Sequence, residues 1–147
     1  MKLTIHRGTH EVGGNCVEIE SEQARIVLDV GMPLFDTNRQ PLDSGALRRK
    51  SVEELQQLRI LPDVPGLFSG DSRPDAILLS HAHLDHTGLL DHCREDIPIY
   101  ASRGTSKMML AGRLFANQVG LPRERFRELK PGTLTKIKDI TITTFPV

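Results

Sequence analysis

The sequence predicts a single domain of mixed α/β class, and three kinds of observation support this. Short runs of apolar or alternating residues are typical of strands. One capping-box pattern and one long amphipathic stretch are typical of helices. The composition, with 147 residues of which 38% are hydrophobic and 26% charged, is that of an ordinary globular protein with one core. No run reaches the roughly 18 apolar residues of a transmembrane helix, so no membrane association is expected.

The first third of the chain is predicted to contain three strands and then an irregular segment. Residues 2–6, 15–20 and 25–30 alternate or run apolar, as strands do. The pair Gly13-Gly14 marks the turn between the first two. Residues 32–50 contain two prolines and a glycine and are expected to be irregular.

A helix is predicted to begin at Ser51, because Ser51 and Glu54 form a capping box. Val52, Leu55 and Ile60 would face the core, and Leu61-Pro62 would end the helix. Residues rich in Pro, Gly, Asp and Ser then predict a loop over 62–74.

The second half predicts further strands and helices. Residues 76–80 read as a buried strand followed by a short helix, and residues 97–101 as the next strand. An amphipathic helix is predicted over 104–118, and two last strands join at Lys138-Asp139. The helix side chains expected to pack are Met108, Leu110, Ala111, Leu114 and Phe115. The last strands are Thr133–Ile137 and Ile140–Phe145.

The most informative segment is His81-Ala82-His83-Leu84-Asp85-His86, in which four of six residues are metal-ligand types. In extended backbone His81 and His83 point to the same side and can bind one ion. Asp85 and His86 are displaced along the chain, where it turns into a helix, and suit a second ion. Imidazole and carboxylate ligands favour zinc, with manganese and iron as alternatives. Two such ions can activate water, so the segment indicates a hydrolase.

Other residues give weaker signals. Asp85 could instead cap the following helix, although capping would need none of the histidines. His6, His10, Glu11 and Asp91 are expected mainly at the surface, with His10-Glu11 able to edge a cleft. His92 lies six positions after His86, which is poor spacing for one helix face, so it is not assigned as a ligand.

The motif Ser80–Gly88 resembles that of the metallo-β-lactamase-fold hydrolases. Gly13–Glu20 resembles the first hairpin of the RNA-processing branch, and Ile26–Gly31 resembles the strand that ends in the first acidic motif. Within the superfamily the combination is most similar to ribonuclease J and the β-CASP nucleases. The resemblance implies a four-layer αββα sandwich, of which residues 1–147 would form the N-terminal half of a truncated domain.

The same resemblance implies roles for individual residues. His81 and His83 match ligands of a first metal, and Asp85 and His86 match ligands of a second. Asp85 would also orient the nucleophile, which makes it the predicted catalytic residue. Asp29 matches the acidic residue that braces the motif loop, whereas without the resemblance it reads as a turn residue. Further ligands are expected beyond Thr144–Val147.

The function implied is hydrolysis of RNA phosphodiester bonds by metal-activated hydroxide in the full-length protein, for which residues 1–147 alone are expected to be incomplete. The alternatives are a thioester or lactone hydrolase of the same fold, and a metal-free fragment that serves as a structural or interaction module. RNA as a partner rests on the resemblance alone, because the net charge is zero. The two cysteines, Cys16 and Cys93, form no CxxC pair and indicate reduced thiols in the cytoplasm. Half of a sandwich would expose apolar sheet surface, so a homo-oligomer is also expected.

Overall fold

The computed structural model describes residues 1–145, which form a six-stranded sheet, a separate two-stranded hairpin and four α-helices. The strands are β1 (Lys2–Arg7), β2 (Cys16–Glu20), β3 (Arg25–Leu28), β4 (Ala76–Leu78), β5 (Ile99–Ala101), β6 (Phe126–Glu128), β7 (Leu134–Ile137) and β8 (Ile140–Thr143). The helices are α1 (Ser44–Arg48), α2 (Val52–Gln57), α3 (Leu84–Thr87) and α4 (Arg103–Ala116).

The six strands of the large sheet lie side by side in chain order, and the sheet changes character at β3. Strands β1, β2 and β3 pair antiparallel, whereas β3, β4, β5 and β6 pair parallel. Parallel strands bring their carboxyl ends to one edge of a sheet, and ligand sites of α/β proteins commonly lie there. Here that edge carries Asp29 after β3 and Ser80-His81 after β4.

The two faces of the sheet are covered by different layers. On β3, Val27 packs with the helices, whereas Ile26 packs with Ile137 and Ile140 of the β7–β8 hairpin. Alternation along the strand explains this, since successive side chains point to opposite faces. The predicted mixed α/β class is thereby confirmed. The described residues supply a helical layer, the sheet and part of a second sheet, and the other outer helical layer of a four-layer sandwich is not among them.

The capping box predicted at Ser51 is confirmed, since Glu54 N donates to Ser51 Oγ and Ser51 N donates to Glu54 Oε2 at 2.7 Å. Leu55 and Ile60 are buried as expected, but the prediction that the helix runs to Leu61-Pro62 is wrong, since α2 ends at Gln57 and Arg59 is left-handed with φ 55°. The prediction that residues 32–50 are irregular is wrong in part, because Asp43 caps the short helix α1. Strand β6 was not predicted, because the stretch Phe-Arg-Glu has no apolar alternation.

Helix α4 has the predicted position, but the prediction that its large apolar side chains pack is wrong. Met108 is 64% exposed and Phe115 is 88% exposed, and Leu110, Ala111 and Leu114 are exposed as well. The buried side chains of this helix are Thr105 and Met109, one turn apart. The helix has apolar residues on most of its circumference, so periodicity alone could not identify its inner face. No helix in the described part of the chain is long and apolar enough to cross a membrane.

Candidate metal centre

The histidine-rich segment follows β4 at the carboxyl edge of the sheet and runs directly into α3. His83 is the N-cap residue of α3, with extended backbone and no side-chain capping bond. Asp85 lies inside the first turn, so the alternative interpretation of Asp85 as a helix cap is wrong. Its carboxylate therefore stays available for another partner.

Three of the four predicted ligands converge in space. His81, Asp85 and His86 each offer a ligand atom, and these atoms lie within 4.8 Å of one another. His83 is adjacent, with its Nδ1 3.1 Å from His81 Nε2, but is more exposed. The sequence predicted two pairs, His81 with His83 and Asp85 with His86. The group of His81, Asp85 and His86 contains residues from both predicted pairs. How the four side chains are shared between two ions stays a prediction.

Asp29 organises this cluster from beneath. Its side chain is 4% exposed, and its backbone is left-handed with φ 61°. Asp29 Oδ1 accepts from Ser80 N at 2.8 Å, and Oδ2 accepts from Ser80 Oγ and from His86 Nδ1, both at 2.7 Å. Because a carboxylate can only accept, His86 must carry its proton on Nδ1. The lone pair of His86 is therefore on Nε2, which lies 3.5 Å from Asp85 Oδ2.

Ser80 extends the effect of Asp29 to a second imidazole. Since the Ser80 hydroxyl donates to Asp29, its oxygen is left to accept from His81 Nδ1 at 3.0 Å. This leaves the lone pair of His81 on Nε2. One buried carboxylate thus fixes the tautomer of both histidines, which is a common arrangement behind metal-bound imidazoles. Our sequence reasoning gave Ser80 no role, although its position between the strand and His81 was a usable signal.

Backbone hydrogen bonds hold the motif against the segments that precede β2 and follow β3. Val30 N donates to His86 O at 2.9 Å, Met32 N to Leu84 O at 3.0 Å and Asn15 N to Asp85 O at 3.1 Å. The approach is so close that a Cβ on Gly31 would lie 1.7 Å from Asp85 O. Asp85 and His86 are therefore carried by a helical turn whose backbone is held by both segments.

The electrostatics of the cluster favour neutral imidazole at His81. Burial lowers the pKa of His81, and the neighbouring His86 and His83 lower it further, against the opposing charges of Asp29 and Asp85. Neutral imidazole is the form that binds metals. The donor set of two imidazoles and one carboxylate fits one divalent cation, since catalytic zinc sites usually have three protein ligands.

The other candidate residues lie elsewhere. His6 is half-buried and pairs with Glu18, contrary to the expected surface position, and His92 is half-buried outside the cluster. His10 and Glu11 are exposed and line a groove of about 1050 Å³. Val12 and Pro33 also line that groove. They adjoin Gly13, which pairs with Pro33 and lies against Asp85, but the lining of the groove includes none of His81, His83, Asp85 and His86.

Both cysteines are buried, and each is a free thiol. Burial raises the pKa of Cys16 to about 12, and the negative charges of Glu18 and Asp29 act in the same direction. Burial also raises the pKa of Cys93. Neither thiol is a candidate nucleophile, since reactive cysteines have lowered pKa values.

The sequence of this chain matches a known protein family. The model of the beta-lactamase superfamily domain matches residues 41–147. An RNase J-like protein of Methanocaldococcus jannaschii is 31% identical over 107 residues, which cover 73% of this chain and 19% of that protein. The transcription termination factor FttA of Methanothermobacter thermautotrophicus is 32% identical over 111 residues, with 74% and 15% covered.

A third kind of relative has a different name. A protein of Salmonella paratyphi B, named probable L-ascorbate-6-phosphate lactonase UlaG, is 30% identical over 119 residues, with 76% of this chain and 30% of that protein covered. The chain thus spans less than a third of the length of each of these curated relatives.

Solved structures agree on the fold. A protein of unknown function from Enterococcus faecalis V583 superimposes with a TM-score of 0.73 at 22% identity, over 99% of this chain and 37% of that one. A subclass B3 metallo-β-lactamase of Bradyrhizobium japonicum gives a TM-score of 0.54 at 19% identity, with 90% and 45% covered. The chain belongs to the β-lactamase superfamily and has its metallo-β-lactamase-like fold.

Proposed function

We propose that this chain acts in metal-dependent hydrolysis of RNA phosphodiester bonds, in the manner of a ribonuclease J-like enzyme. The observation that carries the proposal is the hydrogen-bond network of Asp29, which leaves one lone pair on His81 and one on His86 beside the Asp85 carboxylate. Zinc, or manganese or iron in its place, would supply Lewis acidity and lower the pKa of bound water there. A second ion, with His83 among its ligands, is part of the proposal.

The chain's own residues have separate tasks in this scheme. His81 and His86 would bind the cation in the tautomer that Asp29 and Ser80 impose. Asp85 would bind it from the first turn of α3 and orient the attacking water. Because Asp29 is buried and Asp85 is not, the first acts on the histidines and the second faces the substrate.

The adjoining groove supports an anionic polymer as substrate. Its lining includes the cations Arg7, Arg39, Lys50 and Arg59 and the carboxylates Glu11, Asp36 and Asp43. All three carboxylates have partners inside the protein. Glu11 pairs with Arg7, Asp36 accepts from Asn38 N and Gln40 N, and Asp43 accepts from Gly45 N and Ala46 N.

The cations are less fully engaged than the carboxylates. Arg39 and Arg59 are exposed, and within residues 1–145 their guanidinium groups form no ion pair. Such side chains suit phosphate contacts, whose contribution falls as salt rises. The groove lining thus has four cations against three carboxylates, and Arg39 and Arg59 are the two that could contact phosphate without breaking an ion pair.

A second candidate function is hydrolysis of a lactone, which the relatives named as lactonases favour. The same cluster could activate water against a carbonyl carbon, and the groove could hold a small phosphorylated substrate. We also propose that the protein binds RNA, that it forms a homo-oligomer and that it is located in the cytoplasm.

The two activities are separated by parallel assays. The full-length protein is loaded with zinc or manganese and given a labelled single-stranded RNA, or L-ascorbate-6-phosphate, which is itself a lactone, and elemental analysis records bound metal. We expect RNA cleavage that Asp85→Asn and His83→Ala abolish and that the exposed matched control Asp63→Asn keeps. Lactone hydrolysis without RNA cleavage would support the second function. A metal-free, inactive protein would support a structural module.

A further inference from the structure

The second ring nitrogen of His86 already has a partner in this structure. Asn15 Nδ2 lies 2.9 Å from His86 Nε2, in contact with a nitrogen that a cation would need. Asn15 follows the Gly13-Gly14 turn and immediately precedes β2. No feature of the sequence had suggested a role for its side chain.

The position of Asn15 is fixed by its own backbone. Its N–H donates to Asp85 O at 3.1 Å, and its carbonyl accepts from Gly31 N at 3.0 Å. Its side chain packs closely against Gly8, where a Cβ would lie 2.4 Å from Asn15 Oδ1. The amide is therefore held beside His86 by contacts that do not depend on His86 itself.

The direction of this hydrogen bond follows from the other side of the ring. His86 Nδ1–H donates a hydrogen bond to Asp29 Oδ2 at 2.7 Å, so in the neutral ring Nε2 has a lone pair and no proton. The Nδ2 group of Asn15 can only donate. The contact is thus an N–H of Asn15 donating to the one lone pair that His86 has to offer, and that lone pair cannot serve two partners.

We propose that Asn15 competes with the cation for His86 Nε2 and thereby sets the metal affinity of the site. The inference rests on the proposed metal site and adds a residue that weakens it. In the metal-free protein the Asn15 amide satisfies His86, and metal binding requires that this hydrogen bond break. The freed N–H then lies near Asp85, whose Oδ2 is 3.5 Å from His86 Nε2.

The test compares the zinc dissociation constants of the wild-type chain and of residue-15 variants, by competition with a chromophoric chelator at neutral pH. Asn15→Leu keeps the shape of the side chain and removes the donor, so the affinity is expected to rise about 2- to 12-fold, the factor of one net hydrogen bond. Asn15→Asp should raise it further, because a carboxylate attracts the cation. The matched control is Asn38→Leu, at an exposed position outside the cluster, which should leave the constant unchanged.

A second measurement needs no metal. Nitrogen-15 shifts of the His86 ring, read by long-range correlation spectra of the metal-free protein, should show a protonated Nδ1 and a hydrogen-bonded Nε2. In Asn15→Leu only the Nε2 shift should move, toward that of a free lone pair. If leucine disturbs the fold, Asn15→Ser replaces it, since serine is too short to reach His86.

Each result decides the matter. Tighter zinc binding with the Nε2 shift supports competition. Equal or weaker binding in Asn15→Leu overturns it, and weaker binding would identify Asn15 as a ligand. If zinc binds to the wild type but residue 15 has no effect, the inference fails and the metal site stands. If no variant binds zinc, the metal site fails as well.

Discussion

Two buried carboxylates, Glu18 on β2 and Asp29 directly after β3, each accept a hydrogen bond from a histidine, yet their surroundings differ. Asp29 is 4% exposed and binds His86 Nδ1 at 2.7 Å, and its other partners are the backbone and hydroxyl of Ser80. Glu18 is 7% exposed and binds His6 Nε2 at 2.9 Å, and Arg25 Nε donates to it at 2.7 Å.

The permanent cation makes the difference between the two. Arg25 neutralises Glu18, and it also donates to Ser72 O at 2.8 Å, so this cluster ties β3 to the following loop. Within residues 1–145 no arginine or lysine pairs with Asp29. Asp29 instead accepts from His86 directly and acts on His81 through the Ser80 hydroxyl, and both histidines lie within ligand distance of Asp85. The His6–Glu18 pair, which Arg25 neutralises, is therefore structural. The His86–Asp29 pair has no such arginine or lysine among residues 1–145, so a bound metal cation could supply the positive charge.

The largest expected effect is that of Asp29→Ala. It leaves Ser80 N and His86 Nδ1 without their buried acceptor, and each unsatisfied group costs about 1–3 kcal/mol. We expect the free energy of unfolding to fall by about 3 kcal/mol and the zinc affinity by about 10- to 100-fold, as for other residues behind metal ligands. Urea unfolding and chelator competition measure the two quantities separately.

The matched variant on the other side is Glu18→Ala. It should destabilise the fold by a similar amount, about 3 kcal/mol, because it leaves Arg25 as a partly buried charge without its partner. The zinc affinity should change by no more than about twofold, which is the usual effect of a mutation at one site on an independent site. Equal losses of zinc affinity in the two variants would show that the contrast between the carboxylates is wrong.

The backbone beside Asp29 should be almost as sensitive as its side chain. Gly31→Ala would place a Cβ 1.7 Å from Asp85 O, so the loop must shift. We expect a loss of about 1–3 kcal/mol, as for other forced overpacking, together with weaker zinc binding. Gly104→Ala, in the first turn of α4, meets only Ser102 Oγ at 3.6 Å and should stabilise the protein by about 0.5–1 kcal/mol. Thermal or urea unfolding with zinc titration distinguishes the two.

Features that depend on neighbouring residues in the chain were predicted correctly from the sequence. Short-range patterns were readable, because the capping box at Ser51 and the strands around the motif depend on neighbours in the chain. The gathering of His81, Asp85 and His86 was suggested by their spacing at a strand end. Asp29 was assigned a bracing role only through family resemblance, and the structure now gives the contacts by which it can act.

What the sequence could not give depends on distant partners. Asn15 meets His86 across 71 positions, so no local pattern identifies that contact. Glu18 and Arg25 are close in the chain, but their contact depends on the register of β2 and β3. The packing of α4 was predicted wrongly for the same reason, since its inner face is chosen by what the sheet presents. Met108 and Phe115 satisfy the helical period as well as Met109 does, yet only Met109 is buried.

The free energy of unfolding should depend on pH at acidic values because of Glu18. Burial alone would raise its pKa, but hydrogen bonds from His6 and Arg25 and their charges hold the pKa below the usual value. Its contribution to stability is thus complete above about pH 4.3, the usual value for an unfolded glutamate, and is lost as the pH falls through the lowered pKa. Glu18→Gln should be less stable than the wild type at neutral pH, by about 1–2 kcal/mol. The difference should shrink below pH 4, as urea unfolding at several pH values would show.

The smallest expected effect on stability is that of replacing His6 or His86 by glutamine, and the two variants should differ in zinc binding. In His6→Gln the new amide can still donate to Glu18, and Arg25 keeps its contact, so the loss of stability should stay below about 1 kcal/mol. The zinc affinity should not change. In His86→Gln an amide can still donate to Asp29, so the fold should again survive, but no lone pair of imidazole remains for the cation. Zinc binding that persists unchanged in His86→Gln would contradict the division between a structural and a metal-binding histidine.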